Sequence, residues 1–156
     1  MKKIYLLCSA LLVTIACTTS ESETQKEAER VAKEFSEAYF NFDLQRANKL
    51  ATSETARWLS YMASNLTQED VDLLNAQEED ASVDIEGMDI LADSLCRVRL
   101  NLTHFMMLDS IGRPGVICHE GETELTLVKR DKQWLVKTRP VVKTADLPRS
   151  GMHSRD

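Results

Sequence analysis

Histidine and cysteine are the side chains best suited to chemistry near neutral pH, and four of them fall in two alternating stretches of this 156-residue chain: Cys96, His104, Cys118 and His119. An imidazole can act as general acid, general base or metal ligand. Paired thiols can bridge or ligate a metal. Spacing narrows these options. "LCRVRLNLTHFMML" (95–108) alternates apolar and polar residues, and so does "VICHEGETELTLVK" (116–129), with the turn-rich "DSIGRPG" between them. Two antiparallel strands follow. Placing Val98 opposite Leu125 and Cys96 opposite Leu127 makes every inward residue of one strand meet an inward residue of the other, as a half-buried sheet requires. That register sets His104 opposite His119 and Gly121 opposite Leu102, so His104 and His119 are the candidate ligand-pocket residues. They would hydrogen-bond a ligand or move protons. The alternative is that they sit near the outer end of the hairpin, hydrogen-bonded or wet. A bulge at Gly121 would also turn Cys118 and Glu120 inward and His119 outward. Two ligands without a third make no metal site, so no metal is expected. Cys96 and Cys118 fall roughly 30 Å apart at about 3.3 Å per residue. A disulfide needs Cα atoms within about 7 Å, so each thiol reads as a small buried hydrophobe.

These strands need helices above them. Ala28, Val31, Phe35, Ala38, Tyr39 and Phe42 recur at three- and four-residue spacing and predict a helix over 25–51, interrupted at "NFD" (41–43), where Asp43 caps the continuation. The aromatic stripe Phe35, Tyr39 and Phe42 reads as core. "TSE" (52–54) opens a further helix with Trp58, Leu59 and Met62 on one side. Thr67 and Asp70 have capping-box spacing and begin a short helix to about Ala76. "SVDIEGMDIL" alternates as a strand with a bulge at Gly87, and "QWLVKTR" is a closing strand with Trp134 and Val136 inward. Helices followed by an antiparallel meander define an α+β fold.

The N-terminus addresses location. Lys2 and Lys3 precede an apolar run from Ile4 to Ala16. At about 13 residues the run has the length of a signal h-region and is short of the ~20 needed to span a bilayer. "TIAC" (14–17) resembles a bacterial lipobox through Ile15, Ala16 and Cys17, with Thr14 in place of the usual Leu. The resemblance implies cleavage after Ala16 and acylation of Cys17, a membrane anchor through several acyl chains. The expected organisation is a signal peptide at 1–16, a lipidated Cys17 with a polar tether to 24, a domain at 25–142 and a polar tail at 143–156. Outer-membrane attachment follows as the expected location. Asp93-Ser94-Leu95 and Asp109-Ser110-Ile111 resemble an O-glycosylation motif of some Gram-negative phyla, which makes Ser94 and Ser110 candidate acceptors.

Composition excludes other partners. The chain carries 19 Lys and Arg against 25 Asp and Glu, a formal charge of −6 that loss of Lys2 and Lys3 makes more negative. No basic cluster suits nucleic acid, and no cofactor motif is present. The segments "VAKEFSEAYFNFDLQRANKLAT" and "ETELTLVKRDKQWLVK" resemble the opening helix and closing hairpin of the nuclear-transport-factor-2-like (cystatin-like) superfamily, in particular its small bacterial lipoproteins of unassigned function. The resemblance implies N-terminal helices packed on a bent antiparallel sheet, enclosing a cavity. Relatives such as ketosteroid isomerases and polyketide cyclases use a cavity Asp, His or Tyr; no matching Asp–Tyr set can be placed here. The expected role is therefore a non-enzymatic envelope lipoprotein binding a small ligand or an envelope protein. A small isomerase or hydratase, or a structural subunit of an envelope assembly, are the alternatives.

Overall fold

The computed structural model describes residues 16–108 and 113–146. Four helices, α1 (Ala16–Phe40), α2 (Leu44–Lys49), α3 (Ser53–Asn65) and α4 (Gln68–Asn75), precede four strands. The strands, β1 (Ser82–Ala92), β2 (Leu95–Met107), β3 (Val116–Arg130) and β4 (Gln133–Val136), form one antiparallel sheet in chain order. The α+β expectation of N-terminal helices followed by an antiparallel sheet is met. No helix among the described residues is long and apolar enough to cross a membrane.

Helix α1 starts upstream of residue 25, its backbone already helical across the stretch expected as a tether. Residues 1–15 and the Cys17 side chain, which carry the signal and anchor expectations, lie outside the described residues, as do Ser110 and residues 147–156. One stripe of α1 buries Ala28, Val31, Ala32, Phe35 and Ala38, while Arg30 pairs with Glu27 and Glu34 on the solvent side. The helix stops where Phe42 takes a left-handed φ of 58°. Asn41 then reaches across to the start of β1: its Nδ2 donates to the Ala81 carbonyl (3.0 Å) and its Oδ1 accepts from the Ala81 N–H (2.8 Å). Asp43 caps α2 and Thr67 with Asp70 forms the capping box of α4, as the sequence predicts, and Thr52 caps α3.

In the sheet, Cys96 stands opposite Leu127 and Val98 opposite Leu125, the expected register. Both cysteines are buried and unbridged. The β1 ladder shifts between Ile85 and Gly87, so the bulge falls where expected. Ion pairs Arg97–Glu124 and Arg99–Asp89 lie across the outer face.

The histidines require a correction. Inward alternation holds through Leu102 and Gly121, then fails on both strands at once. His104 adopts φ 52° and Phe105 takes the inward position, fully buried; opposite it Cys118 is buried and His119 is exposed. Gly121 explains the exchange. A Cβ there would meet Phe105 Cζ at 2.7 Å and Val142 Cγ1 at 2.9 Å, so the glycine is the space into which the phenyl ring folds. Burying a phenylalanine contributes about 1.5–3 kcal/mol, and an imidazole kept wet avoids the penalty of an unpaired buried polar group. A left-handed residue costs roughly 1–2 kcal/mol, so burial of the aromatic ring prevails.

The polar tail begins on the sheet. Residues 137–146 run along the β3 edge that β4 leaves uncovered. Lys143 exchanges both backbone hydrogen bonds with Glu122 (2.8 and 2.9 Å). Thr144 Oγ1 donates to the Glu120 carbonyl (2.6 Å), and the Asp146 carboxylate accepts from the His119 and Glu120 N–H groups. An open strand edge with unpaired amides is the physical reason the polar tail stays on the sheet to Asp146.

Candidate functional site

A cavity of about 390 Å³ opens between the end of α1, one face of α3, the end of β2 and the strap 139–142. That volume is in the range of small-molecule sites, near its lower bound. The walls are aromatic and thioether groups: Tyr39, Phe40 and Phe42 from α1 and its exit, Trp58, Tyr61 and Met62 from α3, and Met106 and Met107 from β2. The rings brace one another. Tyr39 and Phe40 meet edge to face at 4.9 Å, Phe40 meets Phe105 at 5.6 Å, and Trp58 and Tyr61 lie 5.5 Å apart on successive turns of α3. Phe105, in the place expected for a histidine, thus supports the cavity wall from behind.

Polar groups share the lining with these apolar walls. Asn65 lines the cavity, and Arg113 and Arg139 contribute positive charge. The Arg139 guanidinium lies over the Trp58 ring, 3.9 Å from its centroid, a cation–π stack. Arg139 is held by its neighbours: Thr138 Oγ1 accepts from the Thr126 N–H (2.8 Å), and the Val141 carbonyl accepts from Thr123 Oγ1 (3.1 Å). Burial pushes the Tyr39 phenol up, against smaller downward effects of the Trp58 N–H and the Arg139 charge. Among the described residues, Trp58 Nε1 is a buried donor without a hydrogen-bond partner.

One loop at the cavity mouth is tied down by a buried carboxylate. Asp70, almost wholly enclosed, accepts from the Thr67 N–H (2.8 Å), the Thr67 hydroxyl (2.8 Å) and the Gly115 N–H (2.7 Å). Burial raises its pKa, but the hydrogen bonds from Thr67 and Gly115 outweigh it and hold the carboxyl below the usual carboxylate range. Sequence spacing identifies Asp70 as a capping residue; its bond to Gly115, 45 residues away, has no local signature.

The expected pocket residues lie elsewhere. His104 and His119 are cross-strand neighbours, with ring centroids 6.3 Å apart, but neither lines the aromatic cavity. His104 Nδ1 lies 3.1 Å from Glu79 Oε2 at the surface. His119 borders a second, wider groove with Glu120, Gly121 and the strap residues Lys143–Asp146. No group of three His, Cys, Asp or Glu side chains among the described residues is placed to hold a metal. Ser94 is exposed in the β1–β2 turn. The residues that build the cavity escaped notice because their signal is weak. Trp58 and Tyr61 share a face of α3 with Asn65, which extends beyond the stripe a core helix needs, while Arg139 sits in a segment with no periodicity.

No family model matches the sequence, and no curated protein matches it. Solved structures do. A provisionally named scytalone dehydratase from Novosphingobium aromaticivorans superposes with a TM-score of 0.52 at 14% identity, covering 89% of this chain and 99% of that one. An NTF-2-like protein of unknown function from Shewanella oneidensis gives 0.49 at 14% identity over 72% of this chain and 93% of its own. A provisionally named polyketide cyclase from Xanthomonas campestris gives 0.39 at 10% identity over 74% and 93%. At these identities the likeness concerns the fold.

Proposed function

We propose that this domain is a binding module of the cell envelope, which holds a small apolar molecule in the aromatic cavity and is anchored through an acylated Cys17. The cavity carries the reading: a space of about 390 Å³ walled by aromatic rings and methionines, with Asn65, Arg113 and Arg139 at its polar side. Methionine and aromatic walls adapt to an apolar guest and contribute dispersion and desolvation without a covalent step. A dehydratase reading, raised by the fold shared with the Novosphingobium protein, would need a proton donor or acceptor tuned near the working pH. The hydroxyls in the wall are those of Tyr39 and Tyr61, and burial moves Tyr39 away from neutrality. Binding is therefore the better-supported reading.

The test is titration with N-phenyl-1-naphthylamine, a neutral apolar probe that brightens on leaving water. Saturable binding by the wild type, lost in Met107→Trp (where an indole fills the cavity) and kept in Tyr39→Phe, is expected. Equal binding by wild type and Met107→Trp would remove the cavity from consideration. The anchoring half is tested separately by detergent phase partitioning: the wild type should enter the detergent phase, and Cys17→Ser should not.

A further inference from the structure

We propose that the ligand of this cavity is a small organic carboxylate, its apolar body among the aromatic and methionine walls and its charged end against Arg139. The inference rests on the binding role proposed above and names the class of ligand that role serves.

Charge distribution is the first argument. Acidic residues outnumber basic ones in this chain by 25 to 19. Among the described residues that line the cavity, however, the charged side chains are both arginines, Arg113 and Arg139. Among the described residues the sign of the charge reverses at the cavity lining. A cavity whose charged lining, among the described residues, is guanidinium alone disfavours cationic guests and favours anionic ones.

The second argument is the preparation of Arg139. Its guanidinium uses one face on the Trp58 ring, which leaves the N–H edge available to a planar acceptor. Hydrogen bonds from β3 to the Thr138 hydroxyl and the Val141 carbonyl hold the strap on either side of it. Among the described residues it forms no ion pair. A stacked, positioned guanidinium offers a fork of parallel donors, the geometry that a carboxylate fills in bidentate fashion. Its charge also reaches inward, since it pulls the buried Tyr39 phenol down against the larger effect of burial. A carboxylate placed at this rim would stay partly hydrated while its apolar remainder is desolvated, which avoids the penalty of enclosing the charge completely.

Calorimetric titration at pH 7 with 2-naphthoic acid and its neutral isostere 2-naphthamide decides the matter. Wild type should bind the acid about fivefold more tightly than the amide, the scale of a partly exposed charge pair, and the preference should shrink with added salt. Arg139→Gln should equalise the two by weakening the acid alone, and Arg139→Lys should restore part of the difference. Arg139 is exposed, so both variants should stay folded, with melting lowered only by the lost stack on Trp58. Equal affinities in the wild type would overturn the carboxylate inference while leaving the cavity a binding site. An acid preference that survives in Arg139→Gln would overturn the assignment to Arg139. Failure of both naphthalenes to bind, with N-phenyl-1-naphthylamine still bound, would overturn the ligand class; failure of all three would remove the binding role itself.

Discussion

The two ends of the β2–β3 hairpin keep one register yet present different faces to the helices. Away from the loop, from Leu95 to Thr103 and from Glu120 to Val128, side chains alternate without exception: Cys96, Val98, Leu100, Leu102, Thr123, Leu125 and Leu127 are buried, and the residues between them face outward. Near the loop, Phe105 and Cys118 are buried instead of His104 and His119. Backbone pairing is the same in both halves, because the irregularity occupies opposing positions on both strands and the numbering offset cancels. Pairing alone therefore does not decide which side chain is inside. Competition between neighbouring side chains for the same space decides it, and the larger apolar group wins when a glycine opposite leaves room.

Phe105→Ala attacks the loop-proximal end most directly. It removes a fully buried ring that supports Phe40, so urea unfolding should show a loss of about 3–5 kcal/mol together with weaker probe binding in the cavity. Asp70 tests whether this end is also held from the α4 side. Its folded-state pKa lies below the unfolded value of about 3.9, so its stabilisation is complete above that value and fades as pH falls through the depressed folded pKa. Asp70→Ala strands the Gly115 N–H and removes the capping box. A loss of about 2–3 kcal/mol at pH 7 is expected, with the gap between variant and wild type narrowing in acid. A constant gap from neutral pH down to pH 2 would show that the carboxylate charge is not what matters. Gly121→Ala should have the smallest effect, about 1–2 kcal/mol, as its methyl group presses on Phe105 and Val142. If it were neutral, the ring would have another place to go, and the account of the face exchange would fail.

The cavity was less legible than the sheet. Local signals mark its aromatic residues as helix faces: Tyr39 belongs to a stripe of core periodicity, and Trp58 falls beside Leu59 and Met62 on α3. Both readings are sound as far as they go, since Tyr39 is nearly buried and Leu59 and Met62 are core. What periodicity cannot express is that two helix faces, a strand end and the strap stop short of one another and leave a space. Arg139 is the extreme case, because its position depends on the chain after β4 lying along β3, and no residue near it announces that course.

Sequence by itself determined the succession of helices and strands, the caps at Asp43 and Thr67, the bulge near Gly87 and the β2–β3 register. Each of these depends on residues close in the chain or on the two-residue period of a strand, and both act before any tertiary contact forms. Only the tertiary structure decided that His104 and His119 face outward, that Asp70 binds Gly115, that residues 143–146 cover a strand edge, and that Trp58 and Arg139 meet across a cavity. These outcomes depend on volumes and unpaired backbone groups that exist only once the sheet and helices are assembled. A packed interior awards each site to the side chain that best fills it, whatever position that side chain holds in a local pattern.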